Sequence, residues 1–187
     1  MQQYDQIKLR VEERVLMTDT LAENQKDQNL LPIPILESSS AEPNMHLWLT
    51  EAKKDSLAPF VGMYLTHNGV VRATPKRIVR PESSTNNASE VEEESRKVVA
   101  VDFTYDKQKL AQALQEACTW EGVYYVRAWL NEGTVPVGDS LMYILIGADI
   151  RPHAVDALTK LVETIKTKIV TETELYHLYT KGFICAF

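Results

Sequence analysis

Residues 123–148 read VYYVRAWLNEGTVPVGDSLMYILIGA, and this stretch decides the fold class. Val123–Leu130 is rich in aromatic and β-branched side chains and reads as a strand. Residues 141–148 (LMYILIGA) are apolar throughout. A strand with one wet face alternates apolar with polar, so an unbroken apolar run points to a central strand buried on both faces. Between the two, Asn131-Glu132-Gly133 and Pro136-Val137-Gly138-Asp139 supply turn residues.

Working outward, residues 57–66 (LAPFVGMYLT) form a short apolar run ending at His67-Asn68-Gly69, as a buried strand does. In residues 97–105 (KVVAVDFTY) alternation places Val99, Val101, Phe103 and Tyr105 on one face. Asp106 is then positioned to cap a helix running through Cys118, with Leu110, Ala111, Leu114, Ala117 and Cys118 as its apolar stripe. Pro152 suits a first helical turn. Ala154, Val155, Leu158, Leu161, Val162 and Ile165 make the inner face of a helix reaching about Lys168. The order β, loop, β, α, β, β, α predicts an α+β two-layer domain with helices on one face of a mixed or mostly antiparallel sheet.

Two regions read as soft. Residues 18–45 carry Pro32, Pro34, Pro43 and a serine run, which marks residues 1–45 as an extension and linker ahead of a main domain at 46–187. At the N-terminus, Ile7, Leu9 and Val11 alternate while Tyr4, Ile7, Val11 and Val15 fit a helical stripe, so strand and helix both remain open. The segment ESSTNNASEVEEESR, residues 82–96, holds five Glu and one Arg and has no aromatic residue. It cannot bury enough apolar surface to offset its ordering entropy, which predicts a mobile acidic insertion over about 75–96.

At 187 residues the chain is long enough for one core without disulfide or metal staples. The net charge of −6 argues against duplex nucleic acid as a partner. Most of that acidity belongs to the insertion. No apolar run is long enough to span a membrane, and no apolar signal segment opens the chain, so a cytoplasmic setting is expected. Cys118 and Cys185 form neither a CxxC pair nor a disulfide framework. No phosphate-loop, dinucleotide, zinc-protease or nucleophile-elbow motif occurs. His46, His67, His153 and His177 lack metal-ligand spacing and read as surface or loop residues; no metal or cofactor is expected.

Two cationic features stand out. Arg72, Lys76, Arg77 and Arg80 follow the glycine turn at Gly69. They are either a phosphate-holding group or a solvated loop balancing the acidic insertion. Lys166 and Lys168 close the last helix, where they either complement its dipole or act in proton transfer beside an anion.

Together these pieces resemble the large, catalytic subunit family of molybdopterin synthase. The resemblance covers about residues 57–175. It runs from Val61-Gly62-Met63 and Gly69-Val70-Val71-Arg72, similar to the family's G-x-V-R segment, through Gly133-Thr134-Val135-Pro136-Val137-Gly138-Asp139 to Arg151 and Ile165-Lys166-Thr167-Lys168. It implies the family's α/β-hammerhead-like fold and a homodimer. The partners would be a small ubiquitin-like sulfur carrier and cyclic pyranopterin monophosphate, with sulfur delivered from the carrier's C-terminal thiocarboxylate. It implies Lys166 as the catalytic lysine and Lys168 as a candidate second. Arg72, Arg151, Lys76 and Arg77 would form the anion site. The family's second lysine, in a P-x-W-K segment, is absent: Ile169-Val170-Thr171-Glu172-Thr173-Glu174 stands there. The histidine expected before Arg151 is Ile150, and the His-Arg pair expected before the glycine turn is Leu130-Asn131. Two readings follow: an active sulfurtransferase, or a binding module for a pterin or carrier on the same fold.

Overall fold

In the computed structural model, which describes residues 31–37, 41–79 and 97–177, strand β6 (Ser140–Ala148) is the spine of the larger sheet. All of its residues are buried except the half-buried Tyr143, as its apolar run requires. Two strands flank it in antiparallel register, β4 (Val123–Leu130) and β2 (Met63–Val70). A short β1 (Ile35–Glu37) pairs in parallel on the outer edge of β4, giving the order β1-β4-β6-β2.

A second, three-stranded antiparallel sheet has the order β5-β3-β7: β5 (Gly133–Pro136), β3 (Val98–Tyr105) and β7 (Val170–Tyr176). After β4 the chain leaves the first sheet, adds β5 to the second, then turns at Gly138 and returns as β6. Gly138 takes φ 98°, a conformation in which a Cβ is strained.

Four α-helices occur among the described residues: α1 (Met45–Ala52), α2 (Lys76–Val79), α3 (Lys107–Ala117) and α4 (Arg151–Thr164). The Asp106 carboxylate caps α3 by accepting from the backbone N–H groups of Gln108 and Lys109, which lowers its pKa. The last helix ends in a π-helical turn, Ile165–Ile169, and passes straight into β7.

One core joins both sheets to α3 and α4. Phe103 and Val135 from the second sheet meet Val126, Ile144 and Ile146 from the first, with Leu110, Leu114, Leu161 and Ile165 from the helices. The opposite face of the first sheet is covered by α1, where Trp48 and Ala52 pack on Tyr125, Trp129 and Leu145. The two long helices lie on one face as expected, and α1 adds cover on the other.

Some expectations shift by one or two residues. A register irregularity between Val98 and Ala100 leaves Val99 exposed and turns Val98 inward. On α3 the inward residue is Ala113 rather than Ala111, and on α4 it is Ala157 rather than Val155.

The strand expected at residues 57–66 begins later, because residues 58–60 form a 3-10 turn and β2 runs on through His67 and Gly69. Nor is the linker wholly outside the domain. Ile35–Glu37 pairs with Arg127–Trp129, and the Glu42 carboxylate accepts from the Ser140 and Tyr143 hydroxyls. The ambiguous segment near residues 4–15 and the acidic stretch 82–96 lie outside the described residues; the start of the insertion is the helix α2.

Cys118 is buried at the end of α3, and burial alone pushes its thiol up to about 11. In a Cys185→Ser chain, a thiol reagent near pH ~8 is therefore expected to leave Cys118 unmodified until urea unfolds the protein. Modification at the rate of a free thiol in the folded chain would contradict this packing role.

Candidate functional site

Chain direction places the site. β6 ends at Ala148, and α4 starts three residues later and folds back across β6 and β2. Arg151 therefore sits at the Met63/Ala148 end of the sheet, while Lys166 emerges at the other end, where β2 leads through Gly69 to Arg72. Fifteen residues of helix separate Arg151 from Lys166, an axial distance of about 20 Å. Arg72 and Lys166 share one end of the sheet; within one chain, Arg151 does not join them.

The residue that faces Lys166 is His67, which sequence reasoning had placed among surface or loop histidines. β2 is an edge strand, and its inward positions are Leu65, His67 and Gly69, opposite Ile146, Ile144 and Met142 of β6. This is the face that α4 covers. The Lys166 charge reaches the imidazole: burial first, and this cation second, hold the His67 pKa below its ordinary 6.5. The ring is therefore neutral near pH ~7.

The His67 Nε2 atom is buried and has no hydrogen-bond partner among the described residues. An unspent buried polar atom costs about 1–3 kcal/mol. A Cβ built at Gly69 would lie 3.5 Å from that nitrogen and 3.2 Å from Met142 Cγ, so glycine here gives the imidazole its room. One signal for His67 was available: it continues the inward alternation of the apolar run at residues 63 and 65.

The other cations go elsewhere. Arg72 is exposed and its Nε donates to the Thr74 carbonyl at 3.0 Å, which curls the side chain over its own loop. Lys168 is two residues from Lys166 on a helical turn, so the two side chains do not share a face. Lys76 and Arg77 open α2, which is anchored over the second sheet by the Lys76 N–H donating to Glu174 at 2.8 Å. Arg80 lies outside the described residues.

At the expected position of the second lysine the chain is already in β7. Glu172 there pairs in register with the core residue Phe103, and its Oε1 is the other buried polar atom without a partner among the described residues. No group of three or more His, Cys, Asp or Glu that could hold a metal ion exists among the described residues.

A family model for the MoaE protein matches residues 44–168. The chain belongs to the MoaE protein family. The match takes in α1 and every element up to Lys168, and so both Arg72 and Lys166.

The fold is also that of several solved MoaE-type structures. Molybdopterin synthase from Staphylococcus aureus is similar over 77% of this chain and 90% of its own, at 17% identity and a TM-score of 0.53. The molybdopterin biosynthesis MoaE protein of Burkholderia ambifaria covers 82% of this chain and 94% of its own, at 14% identity and a TM-score of 0.52. The complex of subunits 1 and 2 of molybdopterin-converting factor from Helicobacter pylori gives 78% and 86%, at 15% identity and a TM-score of 0.50. No curated protein matches. Among the described residues no helix is long and apolar enough to cross a membrane.

At the far end of α4 the Asp149 carboxylate accepts from the Ile150 N–H and pairs with His153 Nδ1, both at 2.6 Å. Gly122, at φ 69°, makes room for this pair: a Cβ there would overlap both side chains. The Asp149 hydrogen bond raises the His153 pKa above 6.5.

A raised folded-state pKa stabilises most below the unfolded value, and the effect fades as pH rises through the folded value. Asp149→Asn keeps an acceptor for the helix but loses the charge. Its Tm deficit is expected to be larger near pH ~5.5 than near pH ~8. An equal deficit at both would show that His153 is not coupled to Asp149.

Proposed function

We propose that this chain is the large subunit of a molybdopterin synthase in molybdenum cofactor biosynthesis, working as a homodimer in the cytoplasm. A small ubiquitin-like carrier brings sulfur as a C-terminal thiocarboxylate. The sulfur passes to cyclic pyranopterin monophosphate, and two transfers make the dithiolene. The family match across residues 44–168 carries this reading, supported by the shared sheet end of Lys166 and Arg72.

The chemistry fits a chain with no reactive thiol or metal cluster among its described residues, because the sulfur arrives on another protein. The large subunit then positions reactants, which supplies much of the rate. Lys166 is the catalytic lysine, and Arg72 binds a phosphate or carboxylate. Because Arg151 stands at the far end of α4, it can share a pocket with Lys166 only across two copies of the chain. Lys168, Lys76 and Arg77 contribute field rather than contact.

The second reading, a carrier- or pterin-binding module without turnover, is favoured by Glu172 and Glu174 on β7 beyond Lys168. Complementation of cells lacking their own synthase large subunit separates the two. The enzyme reading expects restored molybdenum cofactor. Carrier binding without restoration favours the module.

A further inference from the structure

We propose that His67 is a positioning residue for Lys166: its unspent Nε2 receives an N–H from the lysine ammonium and holds that group over Gly69. This rests on the sulfur-transfer reading for its consequence in catalysis, but not for the contact itself.

Three observations carry it. First, His67 stands at an inward position of an edge strand, between Leu65 and Gly69, where packing alone calls for an apolar side chain. Second, its Nε2 is buried and unpartnered beside apolar positions: Ile144 of β6 stands opposite it in register and Met142 opposite Gly69, and Leu158 and Val162 pack from α4 against the core that holds both. Third, the cation acting on the ring is Lys166, which is exposed and on a flexible stem. The other charges on this part of the helix are Glu163, one turn before Lys166, and Lys168, two residues after it, and both are exposed. The one other ionisable side chain of β2 is Tyr64, which packs on the α1 side of the sheet and donates its hydroxyl to the Ala52 carbonyl.

A neutral imidazole beside an ammonium is an acceptor waiting for a donor. Protonation would put two cations together and expel the lysine. Burial and Lys166 keep the ring neutral through the physiological range, so the lysine is held there and released only in acid. No covalent step is involved; one N–H···N hydrogen bond forms and later breaks.

The experiment uses the full chain with thiocarboxylated carrier and pterin precursor, following kcat and KM from acid to alkaline pH. His67→Phe fills the space without an acceptor, and kcat is expected to fall about 100-fold at neutral and alkaline pH, with KM little changed, and to approach the wild-type value in acid, where wild type too has released the lysine. His67→Gln offers a neutral amide oxygen at all pH values. It is expected to keep kcat within about threefold of wild type at alkaline pH and to lose the acid limb that wild type shows.

In parallel, imidazole NMR of the full chain follows His67 as it titrates. Lys166→Ala is expected to raise its pKa and change the Nε2 shift. A wild-type kcat in His67→Phe at neutral pH overturns the proposal, as does an unmoved His67 signal in Lys166→Ala. A responsive His67 in a wild-type chain that converts no precursor upholds the contact and refutes the sulfur-transfer reading.

Discussion

Replacing Arg127 with methionine is expected to lower stability by about 3 kcal/mol, a large effect for a charged side chain. Arg127 lies in the middle of β4 and only 8% of it is exposed. Its Nε and Nη2 donate to Glu37 of β1, and Nη1 donates to Glu51 of α1. Its guanidinium carbon lies 4.6 Å from the centre of the Trp48 ring, in cation–π range. Burial pulls the guanidinium pKa down, and the carboxylate hydrogen bonds more than offset it.

One side chain thus clamps β1 and α1 onto the sheet. Methionine keeps most of the volume and gives up all of these contacts. The two carboxylates differ: Glu37 is 28% exposed and Glu51 58%. Solvent screening makes the exposed partner worth little, so Glu51→Gln is expected to cost under about 1 kcal/mol and Glu37→Gln more. Urea unfolding, compared through midpoints at constant slope, checks the order. An Arg127→Met chain no less stable than Glu51→Gln would show that the clamp does not hold this region.

Lys166→Ala is expected to cut precursor conversion at least about 100-fold while lowering the urea midpoint by no more than the loss of its one hydrogen bond to His67. The side chain is exposed at the end of α4, beyond the buried Ile165, so its removal opens no cavity. Arg72→Ala in the same assay is expected to raise KM more than it lowers kcat, since an exposed anion-binding group acts mainly in the ground state. Conversion at the wild-type rate by Lys166→Ala would remove the lysine from the chemistry.

Much of the first sheet was legible in the chain because burial on both faces leaves a pattern no other structure needs, as in residues 141–148. The cap at Asp106 and the stripes of α3 and α4 were legible for a similar reason, with one misplaced residue in each helix, where Ala113 turned inward instead of Ala111 and Ala157 instead of Val155. β7 was not. Its inward positions hold Glu172 and Glu174, so the apolar alternation that marks a half-buried strand is missing. β1 and β5 have three and four residues, too few for a period to show.

The candidate site divides the same way. Lys166 and Arg72 stood out as cations after a helix and after a glycine turn. Their common sheet end depends on α4 folding back, and the separation of Arg151 depends on that helix's length. His67 carried no motif at all. Its importance comes from an edge strand turning one polar residue inward under the end of a helix.

By itself, then, the sequence determined what local patterning can encode: the class of fold, the buried spine, the helix caps and the absence of thiol or metal-ligand motifs. Only the tertiary structure decided which charges meet. Coulomb and hydrogen-bond interactions act between groups brought together from residues 67 and 166, or 37, 51 and 127, and no periodicity along the chain records such distant pairings.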